Sequence, residues 1–454
     1  MSQDTAKNAL SSDLPGPLQA IESFESFFKK VARGSYPLFF AAVLALVWAN
    51  LSAASYHDLW HTDLSIGLGH LQLTKSLIHW IDEALMTLFF FTVGLEIKRE
   101  LLVGELASLK QALLPIAAAL GGMLLPAAIY TAFNYGTPAA KGWGIPMATD
   151  IAFSLGVLAI LRDKVPSGLR IFLSALAIAD DLGAVLIIAL FYTQTIVLDY
   201  LAIAGLFLLG LAVANRLWIR WTLVYALLGI GMWFAILGSG VHATVAGVVV
   251  AMFIPAKAKY DTDTFLGKVK AYTEQFECEP GSCGYTILLN KQHLDAVLAI
   301  EEACHNVETP LQRLEHGLQS WITVVILPLF ALANAGLVLK GVDIMHAISH
   351  RITLGVALGL GIGKPVGISL FTYLAFKVLK TPLPSGVNWS HIFGAGILGG
   401  IGFTMSLFIS GLSFFSDEFA ELSKLGIMSG SLFSGILGLL VLSLGKTQQN
   451  PSQD

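Results

Sequence analysis

Residues 171–190, IFLSALAIADDLGAVLIIAL, are long enough to cross a bilayer and carry Asp180 and Asp181 side by side at their centre. A membrane helix needs about 20 mostly apolar residues. Each ionised carboxylate at its middle costs roughly 2.5–3.5 kcal/mol on insertion scales, so acids there face a pathway, a partner or a cavity. Two adjacent acids therefore constrain this chain more than any other feature. Upstream, GWGIPMATDIAFSLGVLAI sets Thr149 and Asp150 in a second apolar run, and downstream GVALGLGIGKPVGISLF sets Lys364 in a third. Three acids and one base thus sit at membrane depth.

Only 13% of the 454 residues are charged and 55% are hydrophobic, against roughly 25% charged in soluble domains. With a mean hydropathy of +0.71, the chain reads as an all-α polytopic membrane protein. A net charge of -4 with scattered basic residues excludes a nucleic-acid partner. The three cysteines, Cys278, Cys283 and Cys304, share one polar segment and are too few for a disulfide scaffold. Reduced, unliganded thiols are the simplest reading, ahead of zinc or redox chemistry. The first apolar run follows some 35 mainly polar residues without a small-residue cleavage site, so it reads as an anchor rather than a signal peptide. Before it, FESFFKKVARG has the pattern of a short interfacial helix, with a tail lacking fixed structure as the alternative.

Apolar runs lie near 36–54, 83–97, 112–133, 142–160, 168–192, 199–216, 222–237, 240–256, 320–339, 352–376, 391–413 and 425–445. They predict about twelve spans. Lys29, Lys30, Arg33, Lys98, Arg99, Lys110, Arg162, Lys164, Arg170, Arg216 and Arg220 concentrate in alternate connections, which predicts both termini in the cytoplasm. The expected organisation is a cytoplasmic segment 1–35, spans one to eight over 36–256, a cytoplasmic insert 257–319, spans nine to twelve over 320–446 and a tail 447–454. Between spans one and two, HTDLSIGLGHLQLTK alternates apolar and polar residues around Gly67 and Gly69, predicting an outer β-hairpin at about 60–75. An isolated two-stranded hairpin is marginal, so a second copy is its natural partner. The insert carries one helical pattern, HLDAVLAIEEACHNVETPLQRLEHGL.

Spans three to five and ten to twelve echo each other, with the middle member broken at GIPMATD in one and GGIGFTMS, containing Gly402 and Thr404, in the other. The units are offset by an odd number of spans and so run in opposite senses. Inverted repeats with broken helices crossing at mid-membrane are a common build of secondary transporters.

A small alkali cation is hard and wants oxygen ligands. Asp180, Asp181, the Thr149 hydroxyl and carbonyls freed at the break would supply them, and two carboxylates this close titrate as one unit. Such a site holds either protons or a cation, and poorly both. Opposed breaks also bring like helix ends together; Asp150 is expected to offset the positive ends and Lys364 the negative ones, with Lys364 also available to pair with an Asp when no cation is bound. For both residues, capping or dipole neutralisation alone is the competing reading. A sodium-coupled organic-anion symporter is the nearest alternative, disfavoured by how few other mid-span polar residues there are. An intramembrane aspartyl protease would need its acids on separate helices after glycine, and GLGIGKP lacks the Ser or Thr of a phosphate loop.

The runs ATDIAFSLGVLAIL, FLSALAIADDLGAVLIIALFYT, LFFFTVGLEIKREL, SGVHATVAGV, LPLFALANAG, IGKPVGISLF and GIGFTMSLFI resemble the NhaA family of bacterial sodium/proton antiporters, in order and over nearly the whole chain. The resemblance implies a bacterial inner-membrane protein that expels Na+ or Li+ for a larger number of protons and is activated at alkaline pH, with no cofactor. By motif it implies that Asp180 and Asp181 bind the ion and protons, that Asp150 and Thr149 are broken-helix residues and that Lys364 is an essential lysine. It associates Glu96, Lys98, Arg99, Glu100 and His242 with pH response, marks Asp82 as an acid near the outer end of span two, and implies a homodimer through the hairpin. An ordinary solvated helix end is the competing reading of the Glu96–Glu100 group, and a helix-end polar residue that of His242. The long insert departs from the family pattern, which implies a short connection there.

Overall fold

In the computed structural model, which describes residues 36–68, 71–161, 164–193, 196–276, 291–341 and 343–444, the apolar runs fold into helices. The segments 1–35 and 447–454, together with Gly69, Arg162, Cys278 and Cys283, lie outside the described residues. Among those described, nine helices are long and apolar enough to cross a membrane, and eleven if each of two bent pairs counts as one span. The bent pairs are Tyr36–Leu51 with Ala53–Trp60, turned by 120°, and Trp389–Gly399 with Phe403–Ser413, turned by 44°. The eighth run forms only the ten-residue helix Thr244–Phe253, about 15 Å long, or half the roughly 30 Å of a hydrocarbon core.

Among the described residues the one sheet is the hairpin Asp63–Leu68 with Leu71–Ser76, antiparallel in the register Asp63↔Ser76 to Leu68↔Leu71. Its base is closed by Leu77 N–H donating to Thr62 O at 3.0 Å. Trp80 donates to Leu64 O at 3.0 Å and ties the sheet to the helix that follows.

The chain divides into two compact units. The first comprises Met1–Met86, Val103–Tyr192 and Ser320–Asp454. Within it, Leu109–Asn134 packs along Arg351–Val378 through small residues. A Cβ on Gly367 would stand 2.1 Å from Gly121 O, and one on Gly363 would stand 2.9 Å from Pro126 Cα. This is the small-residue contact that lets helices associate in lipid. Gly367→Ala should therefore lower stability by about 1–3 kcal/mol or more, read as an earlier unfolding transition of the purified protein in detergent. An unchanged transition would contradict the close approach.

Two spans of this unit are interrupted at their centres. Pro138–Met147 is a 3₁₀ segment, residues 148–150 are extended, and Ile151–Ile160 resumes as an α-helix. In the other span, residues 400–402 separate Trp389–Gly399 from Phe403–Ser413. Arg351–Val378 contains a π-helical turn, Gly359–Gly363, in which Lys364 N–H donates to Gly359 O. Pro365 follows directly and has no N–H to continue the ladder. The wider turn ends at Lys364.

The second unit comprises Thr87–Leu102 and Thr193–Gln319. Leu198–Arg216, Thr222–Ser239 and Thr244–Phe253 pack around Leu95, Leu211, Tyr225, Met232 and Ala251. Gly240, in the left-handed region at φ 84°, ends the second of these helices. Beyond residue 256 come the polar helices Thr262–Thr273 and Lys291–Val307, which pack together. Asp261 caps the first, and its hydrogen bonds from Thr264 hold its carboxyl below the usual carboxylate range. The pattern expected as one helix is two. Thr309 and Gln312 form a reciprocal capping box, with Gln312 N–H donating to Thr309 Oγ1 at 3.1 Å and Thr309 N–H donating to Gln312 Oε1 at 3.3 Å. Pro310 at the first helical position fixes the break. The new helix, Pro310–Asn334, runs on into the ninth apolar run.

Candidate functional site

Interrupting two helices leaves four sets of backbone groups to satisfy in a buried place. One carboxylate serves both N-terminal ends. Asp150 is the N-cap of Ile151–Ile160 and its Oδ1 accepts from Phe153 N–H at 3.0 Å. Its Oδ2 accepts from the Thr404 N–H at 3.0 Å and the Thr404 hydroxyl at 2.5 Å, at the start of the other half-helix. Charge at two positive helix ends is thus met by one acid. The C-terminal ends are met by hydroxyls and one amide. Thr149 Oγ1 donates to Gly399 O at 2.8 Å, Ser154 Oγ to Leu398 O at 2.9 Å, Asp150 N–H to Ile401 O at 2.6 Å, and Ser406 Oγ to Ile145 O at 2.8 Å. Gly402 takes no side chain here, since its Cβ would stand 2.2 Å from Ser406 Oγ and 3.0 Å from Ala148 O.

Lys364 is 1% exposed and Asp180 2%. The Lys364 ammonium donates to Asp180 Oδ2 at 2.7 Å and to Thr149 Oγ1 at 2.8 Å. Because the Thr149 hydroxyl is spent on Gly399 O, its oxygen is the acceptor. Lys364 therefore reaches the negative helix end through Thr149 rather than by touching a carbonyl, a refinement of the role expected for it. Asp180 Oδ1 is buried and has no hydrogen-bond partner. A carboxylate oxygen left open at this depth is unusual, because a buried polar atom without a partner costs about 1–3 kcal/mol. Asp181 is equally buried, on the next position of Ser167–Phe191. Adjacent helical side chains point about 100° apart, so the two acids address different neighbours.

Thus Asp180, Lys364, Thr149, Asp150 and Thr404 form one connected network, with Asp181 beside it and Gly402 in the break. The residues expected to respond to pH lie elsewhere, in the second unit, and they divide. Lys98 donates to Met252 O at 2.7 Å and Ile254 O at 2.5 Å, which caps the C-terminus of Thr244–Phe253. Arg99 pairs with Glu100 at 3.0 Å and with Glu315 at 3.0 Å, and Glu96 lies in the field of both carboxylates. His242 occupies the turn before Thr244. Glu315 was not among the expected residues. It is 8% exposed, with Oε2 buried and unpaired, and the sign of it in the sequence is an acid on the apolar face of QRLEHGLQSW. Among the described residues no cluster of three or more His, Cys, Asp or Glu would hold a resident metal, and Cys304 is an exposed free thiol.

Comparison with known proteins bears on this arrangement. A family model described as Na+/H+ antiporter 1 matches residues 25–442. The chain is 49% identical over 423 residues to the Na(+)/H(+) antiporter NhaA 2 of Syntrophotalea carbinolica, covering 93% of this chain and 96% of that protein. It is 47% identical over 427 residues to the Na(+)/H(+) antiporter NhaA of Koribacter versatilis, covering 93% and 91%. With the Na(+)/H(+) antiporter NhaA of Helicobacter pylori strain G27 it shares 46% over 425 residues, covering 92% and 95%.

Proposed function

The chain belongs to the Na+/H+ antiporter 1 family, and from that premise we propose that it exchanges sodium for protons across a membrane through the Asp180–Lys364 site. It is a multi-pass membrane transporter, not an enzyme. The observation that carries the site assignment is the buried Asp180–Lys364 pair, formed beside two helix breaks, with one Asp180 oxygen left open.

In the sodium-free state Lys364 neutralises Asp180. A dehydrated Na+ or Li+ has a claim on Asp180, Asp181 and the Thr149 oxygen, and its charge competes with the ammonium. Sodium arriving at this cluster displaces positive charge held as protons. Asp180, Asp181 and Lys364 together hold more titratable positions than one cation needs, which supports exchange of each cation for a larger number of protons, driven by membrane potential. Asp150 holds the breaks together through its hydrogen bonds to both half-helices.

The finer topology belongs to this reading. It comprises twelve spans, inverted repeats over spans three to five and ten to twelve, crossing breaks in spans four and eleven, both termini in the cytoplasm and residence in a bacterial inner membrane. So do the segment 1–35, the bundle 36–256, the insert 257–319, the bundle 320–446 and the tail 447–454. The hairpin, whose strands carry exposed Leu64 and Ile66, is the surface through which two copies pair.

Regulation by pH falls to Glu96, Lys98, Arg99, Glu100 and Glu315, with His242 just before Thr244–Phe253, the helix whose C-terminus Lys98 caps. Arg99→Gln removes the positive charge that favours the ionised carboxylates around it, so the rise of rate with pH should move to more alkaline values while the maximal rate is retained. Proton movement in proteoliposomes over a pH series reads this, and an unmoved profile would count against the cluster. Wild-type proteoliposomes test the function itself. A sodium pulse should drive protons in the opposite direction, and no proton movement at any pH would remove the antiport reading.

A further inference from the structure

A second carboxylate and ammonium face each other within the first unit, away from the network at the breaks. The π-helical turn Ile81–Leu85 carries Asp82, whose Oδ1 accepts from Asn334 Nδ2 at 2.9 Å. Asn334 also donates to Phe330 O at 3.2 Å. Among the described residues no donor reaches Asp82 Oδ2 or Asn334 Oδ1. Two oxygens on adjacent side chains, one of them charged, are open.

Lys424 of Asp417–Leu444 lies in the field of Asp82, Glu421 and Asp417, yet among the described residues it touches no carboxylate. Among the described residues its one hydrogen-bond acceptor is Gly336 O at 3.3 Å, although an ammonium has three donors. Capping the end of Pro310–Asn334 does not require it. Tyr56 Oη already contacts Leu332 O and Ala333 O at 2.8 Å and accepts from Gly336 N–H at 3.0 Å, and Asn50 donates to Leu337 O at 2.8 Å. A lysine and an aspartate held apart on two spans, each with unused hydrogen-bonding capacity, mark a place for something between them.

We propose that Asp82, Asn334 and Lys424 form a second cation site, which stages the transported monovalent cation on the side of the membrane where spans two and twelve begin. This rests on the antiport reading. Asp82 Oδ2 and Asn334 Oδ1 supply the oxygen ligands a hard cation wants, and Lys424 is the neighbouring positive charge that competes with the cation for Asp82. The logic is that of Asp180 with Lys364, with one carboxylate in place of two.

The test is sodium-NMR line broadening with the full chain purified in detergent. Protein carrying Asp180→Asn and Asp181→Asn should keep a sodium-dependent component, about tenfold or more weaker than wild type because fewer charged ligands remain. Adding Asp82→Asn should abolish that component, and Asp82→Glu should restore it. Elution profile and unfolding temperature establish that each variant is folded, and Asn334→Ala takes the place of Asp82→Asn if that variant is not. A core-disabled, folded protein with no residual sodium component would overturn the staging site, as would a component that survives both Asp82→Asn and Asn334→Ala. Normal wild-type exchange alongside either result leaves antiport intact, whereas absence of exchange in wild type overturns the antiport reading instead.

Discussion

Proteoliposomes bearing Asp180→Asn are expected to show no sodium-driven proton movement at any pH from mildly acidic to alkaline. Two losses coincide in this substitution. The cation loses a charged ligand whose Oδ1 has no other partner, and the Lys364 ammonium, buried at 2.7 Å from Oδ2, loses its counter-charge. Removing one partner of a buried pair destabilises the fold by about 3–5 kcal/mol, and the missing charged ligand removes cation binding itself, so turnover should fall below detection. Asp181→Asn should be comparably damaging, because the pair binds as one unit. The variant protein must elute as a folded species for the result to count. Exchange surviving in folded Asp180→Asn would mean that the ion binds elsewhere.

Asp150→Ala should act on stability as much as on transport. It removes the acceptor for Phe153 N–H, Thr404 N–H and the Thr404 hydroxyl together. Hydrogen bonds to charged groups contribute about 1.5–3 kcal/mol each and are not additive, so a loss of roughly 3–5 kcal/mol is expected. Asp150→Asn keeps one acceptor oxygen and should lose less. Combining Asp150→Ala with Lys364→Ala leaves both sets of helix ends uncompensated and Asp180 unpaired, and the double variant should unfold earliest in detergent. A double variant as stable as wild type would show that the two charges do not hold the breaks together.

These expectations rest on features of unequal legibility. The Asp180–Asp181 pair and the two breaks are local in sequence: acids, glycines and a proline stand where uninterrupted apolar helix would otherwise be cheapest. The hairpin is legible for the same reason, as a short alternation bounded by polar residues. What could not be read was which distant groups complete each site. Thr404 meets Asp150 across 254 positions, and nothing in local pattern specifies that pair, whereas Lys364, the lone base at membrane depth, is expected to pair with an Asp, and the partner it meets is Asp180. Glu315, Asn334 and Lys424 were passed over because each sits singly in an otherwise ordinary run, its significance arising only from the element packed against it. Lys98 stands among Glu96, Arg99 and Glu100 in the chain, but its ammonium donates to the carbonyls of Met252 and Ile254, partners that no local pattern specifies. The pattern HLDAVLAIEEACHNVETPLQRLEHGL reads as one helix but forms parts of two, although the signal was present, since Thr309, Pro310 and Gln312 are together a helix start.

Calorimetry of sodium binding to the purified full chain, run in buffers of different ionisation enthalpy, asks most directly whether Asp180, Asp181 and Lys364 hold either a cation or protons. Competition predicts that sodium binding releases protons, that its affinity falls as pH is lowered, and that both effects vanish in Asp180→Asn. Sodium that binds wild type with the same affinity at every pH and releases no protons would contradict a shared site.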